Sequence, residues 1–222
     1  MAQLKIKSCL LLLLVASISA FGQRHMRYTD FGASAGIILH NGEVSTGEIS
    51  GYLADVRPQF STHLKRTYGS WFVLGSELTY GFLSSKDENH TNPRRGYIVN
   101  THTLQVNAFI EMNLIKFGKN LREKSWTPYI KLGYGALFYN PNLAENQIYP
   151  KEIELRPNAY WTTHFFSGGG FKIRTSYRTY ISLEATISFL GVDDIEGWQY
   201  SPNRTNNDVI GGGRIGISYM IF

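Results

Sequence analysis

The sequence has a single cysteine, Cys9, so neither a disulfide framework nor a cysteine-ligated metal centre is available to it. Charge is sparse: Asp, Glu, Lys and Arg make up 18% of the 222 residues, with 22 Lys+Arg against 17 Asp+Glu. The formal net charge is +5, and two of the lysines, Lys5 and Lys7, sit in a segment expected to be removed, so neither a strongly basic partner surface nor a nucleic-acid partner is expected. Beyond the first 22 residues no apolar run approaches the ~20 residues that a membrane-spanning helix needs, which excludes a helical membrane protein. Aromatic residues are plentiful at 14%, and there are 22 glycines. So much aromatic and so little charged content excludes a disordered chain and leaves one domain's worth of folded protein.

Residues 1–22 have the pattern of a secretory signal. Lys5 and Lys7 precede the apolar run Cys9 to Ala20, and Ala20-Phe21-Gly22 places small residues three and one before Gln23. The expected mature chain is Gln23 to Phe222, exported, cysteine-free, and carrying 20 − 17 = +3. Cys9 opens the apolar run and is not placed as the acylated cysteine of a lipoprotein.

The remaining chain is dominated by period-two alternation in segments of about ten residues, the length of a tilted transmembrane strand. From Thr103 to Leu114, Leu104, Val106, Ala108, Ile110, Met112 and Leu114 alternate with a mostly polar set. From Arg178 to Leu190, Ile181, Leu183, Ala185, Ile187 and Phe189 face away from Tyr180, Ser182, Glu184, Thr186 and Ser188. Trp71 to Leu83 sets Phe72, Leu74, Leu78, Tyr80 and Phe82 opposite Glu77. Weaker segments at Tyr28–Leu39, Arg57–Arg66, Pro128–Tyr139, Trp161–Arg174 and Asp208–Phe222 bring the count to eight.

Eight strands without a helix between them predict an all-β, antiparallel up-and-down barrel, which closes and leaves no sheet edge. Alternation alone does not say which face points inward, since a soluble barrel buries its apolar face and an outer-membrane barrel shows it to lipid. Connection lengths favour the second. Thr67–Ser70 and Thr175–Tyr177 are short, whereas His40–Val56, Ser84–Asn100, Asn140–Tyr160 and Gly191–Asn207 are long and lie together at the other end. Tyr28, Tyr68, Trp71 and Trp126 at one end, and Tyr139, Trp161 and Trp198 at the other, are expected to form the two interfacial girdles. The Ile215, Ile217, Tyr219, Ile221 row, rather than the terminal Phe222, makes the better lipid face of the last strand.

The inward set then contains His63, Lys65, Glu77, Glu111, Lys131, Lys172, Glu184 and Arg214. Such charges would be ruinous against lipid and can pair in a narrow lumen, so they are read as a structural network filling the barrel rather than as a catalytic constellation. No cofactor or small-molecule substrate is expected. Gly211-Gly212-Gly213-Arg214-Ile215-Gly216 matches G-x-G-x-x-G formally, but no helix can follow it. Gly168-Gly169-Gly170 reads as a strand kink or as room for bulky neighbours. His25, His40, His63, His90, His102 and His164 show no metal-ligand spacing. Asp193, Asp194 and Glu196 cluster in the last long loop and are read as solvated, with a bound cation as the alternative. The connection Ile115–Trp126, at the short-turn end, carries Lys116, Lys119, Arg122 and Lys124 against Glu123 alone, and is either a docking element or a solvated turn.

In series, DFGASAGIILHNGEVS (Asp30–Ser45), VRPQFSTHLKRTYGSWFVLGSELTYG (Val56–Gly81), THTLQVNAFIEMNLIKF (Thr101–Phe117), TPYIKLGYGALFYNPNL (Thr127–Leu143), FFSGGGFKI (Phe165–Ile173), GVDDIEGWQY (Gly191–Tyr200) and the terminal Ile217-Ser218-Tyr219 resemble the PorG-like outer-membrane barrel family, associated with type IX secretion and gliding machinery. The resemblance implies a non-enzymatic barrel in outer-membrane lipid that anchors a periplasmic ring lipoprotein and its partner, and it transfers no catalytic residues. Lys116, Lys119, Arg122 and Lys124 are the expected periplasmic contact. Two further readings are a structural or adhesive barrel of the OmpA or OmpX kind, working through its outer loops, and a lipid hydrolase or acyltransferase built on His164 or His102. The last needs a Ser and an acid beside the His, and Ser167, three residues from His164 on a strand, points to the opposite face.

Overall fold

A computed structural model describes residues 27–41, 55–86, 98–118, 124–143, 153–155, 158–192, 195, 198–200 and 208–222. The expected signal segment, residues 1–22, lies outside the described residues. The strands are β1 (Tyr28–Asn41), β2 (Arg57–Tyr68), β3 (Phe72–Lys86), β4 (Ile98–Asn113), β5 (Trp126–Leu143), β6 (Ile153–Leu155), β7 (Tyr160–Arg174), β8 (Thr179–Leu190), β9 (Trp198–Tyr200) and β10 (Val209–Ile221).

Eight of them close an antiparallel barrel in the order β1-β10-β8-β7-β5-β4-β3-β2. The eight alternating segments of the sequence all lie in it. Closure is by β1 against β10, from Thr29↔Ile221 to Asn41↔Val209, so every barrel strand has two partners and no edge remains. The short strands β6 and β9 pair with each other outside the barrel, joining two of the long connections, and carry no sequence signal at three residues each.

Alternation becomes wall geometry. Along β2 exposed and buried residues take turns without interruption from Pro58 to Tyr68. The outward set is apolar, with Phe60, Leu64, Leu74, Leu78, Val106, Ile110, Leu132, Leu183, Ile215 and Ile217 all exposed. A side-chain period of two is what lets one strand serve lipid on one face and a polar lumen on the other.

Tyr68 and Phe72 are joined by residues 69–71, where Gly69 takes φ +73° in open space. That turn, residues 175–178 between β7 and β8, residues 114–125 between β4 and β5, and both strand termini at Tyr28 and Ile221 share one end. This is the periplasmic end of an outer-membrane barrel, and the four long connections define the other.

Two of the expected girdle aromatics point the other way. Tyr28 and Tyr139 are buried at 3% and 1% exposure, because they share strand parity with the inward Asp30 and Lys131. Tyr68, Trp71, Trp126 and Trp161 do face outward. The side chain of Trp198 lies outside the described set.

Large and small residues alternate around the lumen. One cross-strand row reads Lys65, Gly75, Phe109, Gly133, Phe166 over β2, β3, β4, β5 and β7. The Phe109 ring occupies the space where Gly75 would carry a Cβ, and the Phe166 ring does so at Gly133. Packing two benzyl groups into a bore this narrow requires the two glycines.

Candidate functional site

Each of the eight barrel strands sends one buried charged side chain into the lumen. They are Asp30, Lys65, Glu77, Glu111, Lys131, Lys172, Glu184 and Arg214, in strand order. Four carboxylates meet four cations, so the set is neutral. Seven of these were legible as inward-facing from sequence pattern. Asp30 was not singled out, although Phe31 next to it is outward and strand parity places Asp30 inside.

Two groupings share the charges. In the first, Arg214 Nη2 donates to Glu77 Oε1 and Oε2 at 2.9 and 2.8 Å, and Arg214 Nε donates to Glu184 Oε1 at 2.9 Å. Lys131 Nζ lies between the same carboxylates, 3.0 Å from Glu77 Oε2 and 3.0 Å from Glu184 Oε1. Neutral donors complete the carboxylates: Tyr129 Oη donates to Glu184 Oε2 at 2.7 Å and Thr79 Oγ1 to Glu77 Oε1 at 3.2 Å. The remaining face of Lys131 rests on the Phe109 ring, 4.1 Å from its centroid.

The second grouping lies nearer the periplasmic end. Lys65 Nζ donates to Glu111 Oε2 at 3.1 Å, Lys172 Nζ bonds Glu111 Oε1, and Lys172 also donates to Asn113 Oδ1 at 3.1 Å. Lys172 sits 4.8 Å over the Tyr129 ring, which links the two groupings. Asp30 is directly opposite Lys65 in the β1–β2 register and accepts from Thr67 Oγ1 at 3.5 Å. Above Asp30 on the same side, His63 Nε2 and Ser218 Oγ are 2.9 Å apart.

An apolar layer closes each end of this column. At the periplasmic end Tyr28, Phe117, Tyr180 and Met220 form a buried cluster. Phe117 comes from the start of the β4–β5 connection, which turns in under the barrel there: Arg174 Nη2 bonds the Gly118 carbonyl, and the Phe117 N–H donates to the Ser70 carbonyl at 3.4 Å. At the other end Ile38, Leu83, Leu137, Tyr139, Leu190, Ile195 and Ile210 pack together. Ile195 belongs to the last long connection and is pinned by its backbone. Its N–H donates to Asp208 Oδ2 at 3.2 Å, and its carbonyl accepts from Thr101 Oγ1 at 3.0 Å.

Between charges and outer plug lies a cavity of about 20 Å³ lined by Gln59, Thr79, Gln105, Asn107, Thr186 and Ser188. That is space for about one water molecule. The described lumen is therefore a packed interior, with neither a pore nor a substrate-sized cleft.

The other sequence candidates are dispersed. His164 is buried and its ring nitrogens have no partner among the described residues, while Ser167 sits on the outward face of the same strand, so the pair is not assembled. His102 is exposed on the outer wall, its Nδ1 2.7 Å from Tyr80 Oη. Lys116 and Lys124 are exposed at the periplasmic end; Lys119 and Arg122 lie outside the described residues, as do Asp193, Asp194 and Glu196. Charge at the periplasmic end is nevertheless one-sided by topology. Among side chains, Arg27, Lys116, Lys119, Arg122, Lys124, Arg174 and Arg178 lie in or beside its connections, against Glu123.

The chain matches no protein-family model and no curated protein. Among solved structures it is similar to Neisserial surface protein A (NspA), at 7% identity and a TM-score of 0.51, covering 86% of this chain and 96% of that one. It is also similar to Ail, the attachment invasion locus protein of Yersinia pestis, solved in complex with the heparin analogue sucrose octasulfate. The identity there is 10% and the TM-score 0.51, over 88% of this chain and 99% of that one. With identities this low it is the fold that is shared, and the fold is the closed eight-stranded antiparallel barrel of outer-membrane type.

Proposed function

We propose that this protein is a non-enzymatic outer-membrane barrel that anchors a periplasmic component of a protein-secretion or gliding machine of the type IX kind. The observation that carries the reading is the charge-filled lumen, plugged at both ends among the described residues: a barrel so filled acts through its ends and its wall. The preponderance of basic residues at the periplasmic end supports an acidic partner there, and the sequence resemblance supports a ring lipoprotein as that partner. Phe117 tethers the start of the β4–β5 connection, which presents Lys116 to the periplasm beside a fixed point.

The test is a mild-detergent pull-down from native outer membranes, using a copy tagged in an outer loop and mass spectrometry of what is retained. Wild type is expected to retain a periplasmic lipoprotein, and Lys116→Glu with Lys119→Glu, Arg122→Glu and Lys124→Glu to lose it. Equal recovery from both would overturn the assignment of that turn, and recovery of the barrel alone would overturn the anchoring role.

A second reading, a structural or adhesive barrel working outside the cell, is favoured by the β6–β9 pairing, which ties two outer connections to each other. It predicts that deleting residues 153–155 changes surface attachment while the periplasmic substitutions do not.

A further inference from the structure

The outward face of β4 is apolar from Leu114 through Ile110 and Val106 to Leu104, and then polar at His102 and Asn100. The ten steps from Leu114 to Leu104, at about 3.4 Å each on a strand tilted about 40°, climb about 26 Å, the height of the hydrocarbon band. His102 and Asn100 therefore stand at the level of the outer headgroups. Across the β4–β5 register Asn140 faces His102 and Asn142 faces Asn100, and both β5 amides are exposed. Four polar side chains thus form one outward block, two strands wide.

Aromatic rings flank the block on both sides. Phe82, opposite His102 on β3, has its ring centroid 5.0 Å from the imidazole, and Tyr80 Oη lies 2.7 Å from His102 Nδ1. That contact fixes the ring and leaves Nε2 for a ligand. On the other side Phe138, one row below Asn140, stands opposite Trp161 on β7, with ring centroids 5.2 Å apart.

None of these eight side chains is an acid, a lysine or an arginine. A phosphate is met by arginine or lysine, and hydrocarbon calls for no amides at all. Each asparagine offers two donors and an acceptor, which suits hydroxyl groups that both give and accept. Rings beside them supply the apolar surface on which the C–H face of a sugar rests.

We propose that the outward face of β4–β5 at the outer end, with His102, Asn100, Asn140 and Asn142 between the two aromatic flanks, binds an uncharged sugar in the headgroup of an outer-leaflet glycolipid. A lipid-borne sugar is favoured over a free one because the block borders directly on the apolar wall. Just below it Ala136 faces Val106 and Ala108 faces Tyr134, so the wall is low along the diagonal where an attached chain would lie. The site rests on the barrel standing in an outer membrane with its long connections outward, and it is independent of the periplasmic partner.

The experiment is native mass spectrometry of the full chain in detergent. The probes are a diacylglycerol carrying a neutral disaccharide, phosphatidylcholine and phosphatidylglycerol of the same acyl composition, and the free disaccharide. Wild type is expected to retain the glycolipid about tenfold more readily than either phospholipid, the order that a few hydrogen bonds supply. Free disaccharide at equal concentration should not displace it. His102→Leu with Asn140→Leu and Asn142→Leu should hold all three lipids alike. Should that variant fail to fold, Asn140→Ala with Asn142→Ala serves in its place and is expected to keep a reduced preference. Lys116→Gln with Lys124→Gln, at the other end of the barrel, should keep the full preference. Equal retention by wild type, stronger retention of phosphatidylglycerol, displacement by the free sugar, an unchanged preference in the wall variants, or a preference that follows Lys116 and Lys124 would each overturn the site.

Discussion

Arg214 and Glu77 approach each other through one guanidinium nitrogen and both carboxylate oxygens, at 2.9 and 2.8 Å, on strands that are not neighbours in the barrel. The bridge runs across the bore. Breaking a buried pair by removing one partner leaves an uncompensated charge and costs about 3–5 kcal/mol. Arg214→Met leaves Glu77 and Glu184 to share Lys131 as their one remaining cation, and is expected to lower folded stability by that amount in urea titrations of the detergent-refolded protein. Adding Glu77→Gln should recover part of the loss, since it restores neutrality. A double variant no more stable than the single would contradict the pairing.

The three-glycine run of β10 offers a graded packing test. A Cβ at Gly36, opposite Arg214 on β1, would meet the Gly213 carbonyl oxygen and come within 2.6 Å of Arg214 Cα, both backbone and unable to yield. A Cβ at Gly213 meets only Ile37 Cγ1, at 3.8 Å. Gly36→Ala is expected to cost about 1–3 kcal/mol or prevent closure, whereas Gly213→Ala should unfold at the wild-type urea midpoint.

Among the described residues, apolar layers that include Phe117 and Ile195 close the two ends of the lumen. In planar bilayers the purified barrel is expected to give no stepwise conductance at ordinary voltages. Regular single-channel openings from wild type would mean that one of the two apolar layers is not in place.

Tryptophans at the two ends of the wall should report the membrane interfaces. Single-tryptophan variants keeping Trp71, Trp126 or Trp161 are expected to be quenched by lipids brominated near the headgroup more than by lipids brominated at chain ends, since all three are outward and near strand termini. Stronger quenching by chain-end bromines would displace the girdles.

Strand number, closure and the inward charges were legible because each rests on the same period-two rule, repeated over segments long enough to average out exceptions. Leu104 to Leu114 shows it plainly. What was hidden has local or long-range causes. Tyr28 and Tyr139 are amphipathic, so their identity suits either a girdle or a lumen, and only their parity with Asp30 and Lys131 decides. Phe117 sits in a basic, irregular connection where no period applies, and its burial is against Tyr28, Tyr180 and Met220, residues distant in the chain. The pairing of β6 with β9 joins residues far apart in the chain, three on each side, which no local pattern encodes.

One charged residue per strand gives the barrel a built-in check on its own assembly. A slip of one residue in any strand sends its lumen charge toward the hydrocarbon and strips seven others of their balance. The seam that joins the two ends of the chain, β1 against β10, carries Asp30 and Arg214, one of each sign. A sheet closed out of register would therefore leave unmatched ions facing a medium that rejects them.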